Sequence, residues 1–293
     1  ISYLRAIMAA KEHSKRALSL TAHIINLNPA HYTVWLYRAS MIISLDIPIS
    51  TELEWVNDVA LQNQKNYQIW HHRQLLIDHI YPSISKDPIA KSELASSEMN
   101  FVQRMLNEDG KNYHVWSYRQ YLVRKLELFN FAELSCIEQI LKDDIRNNSA
   151  WSHRFFIVFS NPDYCSPTAT AMDPDPGIPE DVIEREKAFA KASVFIAPQN
   201  PCPWNYLRGV LRKSKQTVVG EEEWAASFVT WDQTQDIDKI NVRSSHALEF
   251  LADAWAEKGE LEKVDVALRL LSERYDRIRK NYWDWKREYL TKN

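Results

Sequence analysis

KNYQIWHHRQ, residues Lys65 to Gln74, returns 46 residues later as KNYHVWSYRQ, Lys111 to Gln120, with six of the ten residues unchanged. A phrase written twice is the mark of a repeat, and further copies follow on a scan of the chain. HYTVWLYR carries Trp35 and Arg38, the two opening phrases carry Trp70 with Arg73 and Trp116 with Arg119, and NNSAWSHR carries Trp151 and Arg154. NPCPWNYLR carries Trp204, with its arginine slipped one place to Arg208. Successive tryptophans lie 35, 46, 35 and 53 residues apart, so the period is 35 and two intervals hold insertions of 11 and 18.

Each phrase reads as the start of a helix, because Tyr67, Trp70 and Arg73 follow one another every three residues and share a face. The residues before each phrase form a second amphipathic helix; in FAELSCIEQILKDDI, Leu134, Ile137, Leu141 and Ile145 recur at steps of 3 and 4. Between the two lie short polar links, NLNPAHY, LQNQKNY, LNEDGKNY and KDDIRNN, whose Asn and Asp side chains can cap free backbone N–H groups. A hairpin of that size cannot bury its apolar face alone, so its neighbours must stack on it. The expected fold is all-α, a right-handed superhelical crescent of about seven stacked antiparallel helical hairpins. One repeat domain over residues 1–293 is expected, centred on Trp35, Trp70, Trp116, Trp151 and Trp204. Trp fills the space between helices and needs a polar partner for its N–H; the Arg one turn later can bond to carbonyls or carboxylates of the next hairpin.

The insertions map to about 81–91, with two prolines, and about 161–181, with five, and both are expected at the surface. The second is expected to be a loop without a core or chemistry of its own. Near the end, Leu268, Leu271, Tyr275, Ile278, Tyr282, Trp285 and Tyr289 alternate steps of 3 and 4, a seam expected to pack a hairpin.

Composition agrees with helices. There are only 5 glycines but 11 tryptophans and 13 tyrosines, and 45% of residues are apolar. A net charge of −3 with interspersed signs lacks the basic stripe of a nucleic-acid binder. Cys136, Cys165 and Cys202 are scattered, which suits a reducing compartment and builds no zinc site. No run of ~18 apolar residues offers a membrane span. Arg5, Lys11, Glu12, Lys15 and Arg16 interrupt any signal-peptide reading, so a soluble cytoplasmic protein is expected. Because the chain starts at Ile1 rather than Met, a trimmed N-terminal segment is expected. His71 and His72 are adjacent, hence on different sides of a helix, and make no ligand pair. Among the five repeat phrases, lysine precedes the Asn-Tyr pair at Lys65 and Lys111; the matching places of the other three hold Ala30, Arg146 and Gln199. A cation in a turn backed by free helix N–H groups is a candidate anion site.

NPAHYTVWLYR, KNYQIWHHRQ, KNYHVWSYRQ, RNNSAWSHR and NPCPWNYL, in that order, resemble the successive repeats of the protein prenyltransferase alpha subunit. Within that family they are most similar to the subunit shared by protein farnesyltransferase and type I geranylgeranyltransferase. The resemblance runs from SYLRAIMAAKEHSKRAL to IRKNYWDWKREYL, apart from the two insertions. It implies a heterodimer with a beta subunit that binds zinc, the isoprenoid and most of the acceptor peptide. Magnesium accompanying the diphosphate is a further implication. No metal ligand is expected in this chain. The reaction implied joins the cysteine thiolate of a C-terminal CaaX motif to C1 of farnesyl or geranylgeranyl diphosphate. The family's diphosphate-binding lysine maps onto Lys65, the catalytic candidate. Tyr67 then lines the cleft and Gln68 bonds the peptide's terminal carboxylate. Asn112, Tyr113 and His114 stand beside the same cleft, and Ala30 and Tyr32 border the peptide's exit. Lys111 matches no catalytic position and reads as structural. His31 departs from the family's frequent Asn, and the fourth interval is long. Two rival readings are a Rab geranylgeranyltransferase alpha subunit and a non-catalytic repeat scaffold. The resemblance places the choice of isoprenoid length with the partner.

Overall fold

Each Trp-Arg phrase does open a helix. The computed structural model describes residues 2–230 and 240–292, so the stretch 231–239 of the expected repeat domain lies outside the described residues. The chain falls into two units, Ile1–Leu128 and Phe129–Asn293. In the first, a short α1 (Ser2–Ala9) precedes three hairpins: α2 (Lys15–Leu27) with α3 (Tyr32–Ser44), α4 (Ile49–Gln62) with α5 (Tyr67–Ile84), and α6 (Pro88–Glu108) with α7 (Tyr113–Leu126). The second helices α3, α5 and α7 pack on one another in order. In the second unit, α8 (Phe131–Asp143) pairs with α9 (Asn148–Phe159), and α10 (Glu180–Ile196) with α11 (Pro201–Lys213). A sixth first helix is reduced to α12 (Glu222–Ala226) and a two-residue antiparallel pair, Val229–Thr230 with Asn241–Val242. It is followed by α13 (Ser245–Lys258), then α14 (Leu261–Leu270) and α15 (Lys280–Lys292). The expectation of an all-α hairpin repeat is met.

All five marker tryptophans are buried. Within each unit their packing repeats, running from one hairpin to the next. Trp35 lies against Trp55 (5.9 Å) and His72 (5.0 Å), Trp70 against Phe101 (6.0 Å) and Tyr118 (5.3 Å), and Trp151 against Phe189 (5.5 Å) and Tyr206 (5.1 Å). The arginine one turn on crosses the same boundary. Arg38 makes a two-pronged bond to Glu52 (2.6 and 2.7 Å), Arg73 to Glu98 (3.2 and 2.5 Å) and Arg154 to Glu186 (2.6 and 3.0 Å). Each guanidinium also lies over the aromatic ring three residues beyond that glutamate, at 3.8 Å for Trp55, 4.0 Å for Phe101 and 3.6 Å for Phe189. The following second helix closes the network, with His72 on Glu52 (2.9 Å), Tyr118 on Glu98 and Tyr206 on Glu186 (2.6 Å). His153 meets Glu133 at 2.8 Å in the same way. Arg208, slipped in sequence, stands 2.6 Å from Asp253 in an ion pair too bent for a hydrogen bond.

This network explains the insertions. From arginine to glutamate the chain takes 14, 25 and 32 residues, while from glutamate to the closing His or Tyr it always takes 20. The extra 11 and 18 residues therefore enter between hairpins and leave the buried contacts unchanged. The first insertion is helical, lengthening α5 and α6, with its side chains exposed or half-buried. Pro82 rides in the last turn of α5, and Pro88 opens α6, where its missing N–H would have had no partner anyway. Asp87 caps that helix through Ile89 N–H (2.9 Å) and Ala90 N–H (3.1 Å). The second insertion is a loop pinned from inside: the buried Lys213 ammonium donates to Thr170 O (2.9 Å) and Asp173 O (3.1 Å). Asp175 accepts from the Ser166 amide (2.8 Å) and hydroxyl (2.7 Å), and Gly177 is required because a Cβ there would meet Tyr164 O at 2.5 Å.

The C-terminal seam is not continuous. A π-helical turn at Leu271–Tyr275 shifts the register and Asp276 leaves helical geometry, so Leu268 and Leu271 are buried whereas Ile278 is 95% exposed. Trp283, outside the expected seam, is buried and donates to Asp276 (2.9 Å).

The buried network carries a pH signature. Burial holds the His72 imidazole below its ordinary 6.5 against the pull of Glu52. Burial alone would raise Glu52, but hydrogen bonds from His72 and Arg38 outweigh it and keep the carboxyl below 4.5; Glu186 is lowered likewise, burial being overcome by Arg154. A group with a lowered native pKa takes up its proton first in the unfolded chain, so its contribution is complete above the unfolded value and drains away as pH falls. Stability should therefore drop in two stages, below 6.5 and again below 4.5. His72 contributes about 1.4 kcal/mol per pH unit to the first stage while its native ring stays neutral. Thermal melts across this range should show His72→Gln with a shallower first stage; a profile superimposable on wild type would exclude His72 as a source.

Candidate functional site

The Asn of each phrase decides where the turns sit. Asn66, Asn112 and Asn200 cap α5, α7 and α11 by accepting the N–H groups of Gln68 (2.9 Å), His114 (3.0 Å) and Cys202 (3.2 Å). Their amide nitrogens reach back one repeat, Asn66 to Pro29 O (2.6 Å), Asn112 to Gln64 O (3.1 Å) and Asn200 to Ile145 O (2.8 Å). Ser244 does the same to Pro198 O at 2.5 Å, which identifies α13 as a sixth second helix. His31 makes no side-chain cap, so the ladder starts at the second repeat.

In the first unit this ladder brings three turns side by side. The turns of the first two repeats enclose an open depression of about 730 Å³ lined by Pro29, Ala30, Lys65, Tyr67 and the 61–66 link. Of the expected site residues, the depression unites Ala30, Lys65 and Tyr67. The Lys65 side chain is 81% exposed and its ammonium lies 3.8 Å from Asp109 of the third turn. Tyr32, Tyr67 and Tyr113 begin α3, α5 and α7 and expose their rings along the same edge. His114 is half-buried, its ring edge-on to Tyr113 at 5.8 Å. Gln68 and Asn112 are different in kind, only 5% and 3% exposed. Asn112 uses its side chain within the chain as cap and ladder rung. Lys111, the other phrase-opening lysine, has its backbone N–H tied to Asp109 (3.2 Å).

Sequence comparison agrees with this architecture. The protein prenyltransferase alpha subunit repeat matches residues 14–44, 49–80, 95–126 and 131–161. The chain is 38% identical to the protein farnesyltransferase/geranylgeranyltransferase type-1 subunit alpha of Candida albicans, over 98% of this chain and 87% of that one. The chain belongs to the protein prenyltransferase alpha-subunit family. The corresponding subunit of Dictyostelium discoideum is 32% identical over 98% of this chain and 82% of its own. Among solved structures, Candida albicans protein geranylgeranyltransferase-I complexed with GGPP superposes with a TM-score of 0.84 at 37% identity, over 99% of this chain and 88% of that one.

Three signals in this alpha-subunit family member escaped the reading of its sequence. The glutamate partners of the arginines sit in a Glu-x-x-aromatic pattern at Glu52/Trp55, Glu98/Phe101 and Glu186/Phe189. The tryptophan N–H finds a carbonyl six residues earlier, in its own turn rather than in a neighbouring helix: Trp35 to Pro29 O (2.7 Å), Trp116 to Gly110 O (3.0 Å), Trp151 to Ile145 O (2.9 Å) and Trp204 to Pro198 O (3.0 Å). The third is Asp109, a residue of the third turn's link in the sequence, which the fold places beside Lys65. Among the described residues no group of three or more His, Cys, Asp or Glu is placed to hold a metal ion. No helix among the described residues is long and apolar enough to cross a membrane.

Proposed function

We propose that this chain is the alpha subunit of a heterodimeric protein prenyltransferase that moves a farnesyl or geranylgeranyl group from its diphosphate to the cysteine of a C-terminal CaaX motif. The observation that carries the reading is Lys65: an exposed ammonium in an open depression, with only a loose carboxylate neighbour at 3.8 Å. In the transfer, the cysteine sulfur forms a bond to C1 of the isoprenoid as the C1–oxygen bond breaks, and the electron pair leaves on the diphosphate. Lys65 stabilises that growing negative charge, and its flexible stem lets the ammonium follow the departing group. Tyr67, Tyr113 and His114 line the cleft held by the partner, Ala30 and Tyr32 border the peptide's exit, and Gln68 offers its narrow exposed edge to the terminal carboxylate. Asn112 serves the site by holding the Gln64 carbonyl next to Lys65. Zinc belongs to the beta subunit in this reading, and the work is done in the cytoplasm. The likeness to type-1 subunits over 98% of this chain supports this over a Rab geranylgeranyltransferase subunit.

The chain co-expressed with a type-1 beta subunit is expected to prenylate a CaaX peptide, and the chain alone to give no product. An assembled heterodimer that transfers neither isoprenoid to any CaaX peptide would overturn the proposal and leave the scaffold reading.

A further inference from the structure

Building on the assignment of Lys65 to the leaving diphosphate, we propose that the Lys65 turn has two positions and that the Trp70 indole N–H latches the second. Trp70 is then a positioning residue for Lys65. Four of the five marker tryptophans donate to the carbonyl six residues earlier, whereas Trp70 Nε1 is buried and has no partner among the described residues. Its acceptor is in place: Gln64 O already takes the Asn112 amide at 3.1 Å. Elsewhere one carbonyl serves both donors, Pro29 O taking Trp35 and Asn66, Ile145 O taking Trp151 and Asn200. Only the second turn fails to close.

A second tie is missing from the same turn. Asn28, Asp109 and Asp144 each accept the backbone N–H two residues on, at Ala30 (3.2 Å), Lys111 (3.2 Å) and Arg146 (2.9 Å). Asn63 holds the equivalent place but sends its amide back to Val59 O (3.0 Å), so the Lys65 N–H lacks that tie. Asn66 also caps one N–H where Asn112 caps two. None of these losses comes from an absent residue, since donor and acceptor are present each time. In the second position of the turn, the 63–65 peptides rotate to bring Gln64 O onto the indole N–H, as in the other four turns. A buried donor left unpaired is costly, and such groups collect where a structure stores free energy for function. An anion that draws Lys65 away from Asp109 shifts the turn, and closure of the indole bond then holds the ammonium on the leaving group.

The test uses the assembled heterodimer and single-turnover transfer at saturating isoprenoid diphosphate. Trp70→Phe removes the N–H and keeps a ring; Trp151→Phe makes the same change where the bond already exists and so measures the cost of ring shrinkage plus a lost bond. Expected is a fall in the transfer rate constant of roughly two- to twelvefold for Trp70→Phe, the range of one hydrogen bond, with the peptide KM unchanged and a smaller loss of melting temperature than Trp151→Phe shows. Transfer at the wild-type rate by Trp70→Phe, while Lys65→Ala is impaired, would remove the latch and leave Lys65 in its role. A melting-temperature loss equal to that of Trp151→Phe would show the N–H bonded at rest and also remove it. Full turnover by Lys65→Ala would sink the role of Lys65 and the latch together. Should Trp70→Phe not assemble, nuclear magnetic resonance of the wild-type heterodimer with nitrogen-labelled tryptophan decides: inorganic pyrophosphate should shift the Trp70 indole signal downfield, and an unmoved signal overturns the proposal.

Discussion

Lys65→Ala should lower prenyl transfer by about a hundred- to a thousandfold in an otherwise intact heterodimer, the range seen when one group stabilising developing negative charge is removed. Folding should be untouched, because the side chain is 81% exposed and its one ion-pair neighbour is 3.8 Å away. An exposed pair of that kind is worth at most about 1 kcal/mol. Lys65→Arg keeps the charge but replaces a compact, mobile ammonium by a planar fork, and should fall between wild type and alanine. Lys111→Ala is the internal control: the same phrase, the same exposed position in its turn, and no expected loss of turnover. Steady-state transfer, with assembly checked by gel filtration, reads all three. An assembled Lys65→Ala complex with wild-type turnover would leave the chain a scaffold for its partner's chemistry.

The second large effect is on stability. Glu98 is 1% exposed and accepts bonds from Arg73 and from the Tyr118 hydroxyl. Burial first, then the Glu98 charge, raises Tyr118 well above its ordinary range, so the phenol stays a donor. Glu98→Ala strands the Arg73 guanidinium in the interior and should cost about 3–5 kcal/mol, the usual consequence of breaking a buried pair from one side. The melting temperature should then fall by roughly 10 °C. Replacing both partners, as Arg73→Met with Glu98→Leu, should recover much of the loss, because two desolvated charges are removed along with their attraction. If the double variant melts as low as Glu98→Ala, the loss lies in packing around Phe101 and Tyr118 and the electrostatic account is wrong.

The network also shows where sequence reading stops. Trp and Arg were visible because they recur in a fixed phrase. Their glutamates were not, since the insertions vary the distance from arginine to 14, 25 and 32 residues, and Glu on a helix ordinarily means a solvated face. The constant step of 20 from glutamate to His or Tyr gains meaning only once the partners are seen. Prolines alone do not tell loop from helix at 81–91: Pro88 opens α6, where its missing N–H has no partner to lose, and Pro82 falls in the last turn of α5. At the C-terminus a sound periodicity over Leu268–Tyr289 was broken by a backbone event, the π turn and Asp276, which residue spacing does not encode.

By itself the sequence determined the repeat, the helical hairpin, the buried Trp-Arg pair and the family. These follow from local periodicity and recurring residues, which one chain displays in full. It could not by itself distinguish Lys65 from Lys111 except through resemblance, since both stand in the same phrase. Tertiary structure separated them: Lys65 projects into the depression between the first two turns and meets Asp109 of the third, while the Lys111 backbone is tied to that same aspartate. It also exposed the unmade Trp70 bond, in a turn whose residues match its neighbours' closely enough to conceal the difference. The physical reason is common to both. A side chain's role here depends on which carbonyls and carboxylates the adjoining repeat brings to it, and that neighbour is set by stacking rather than by the chain's own local pattern.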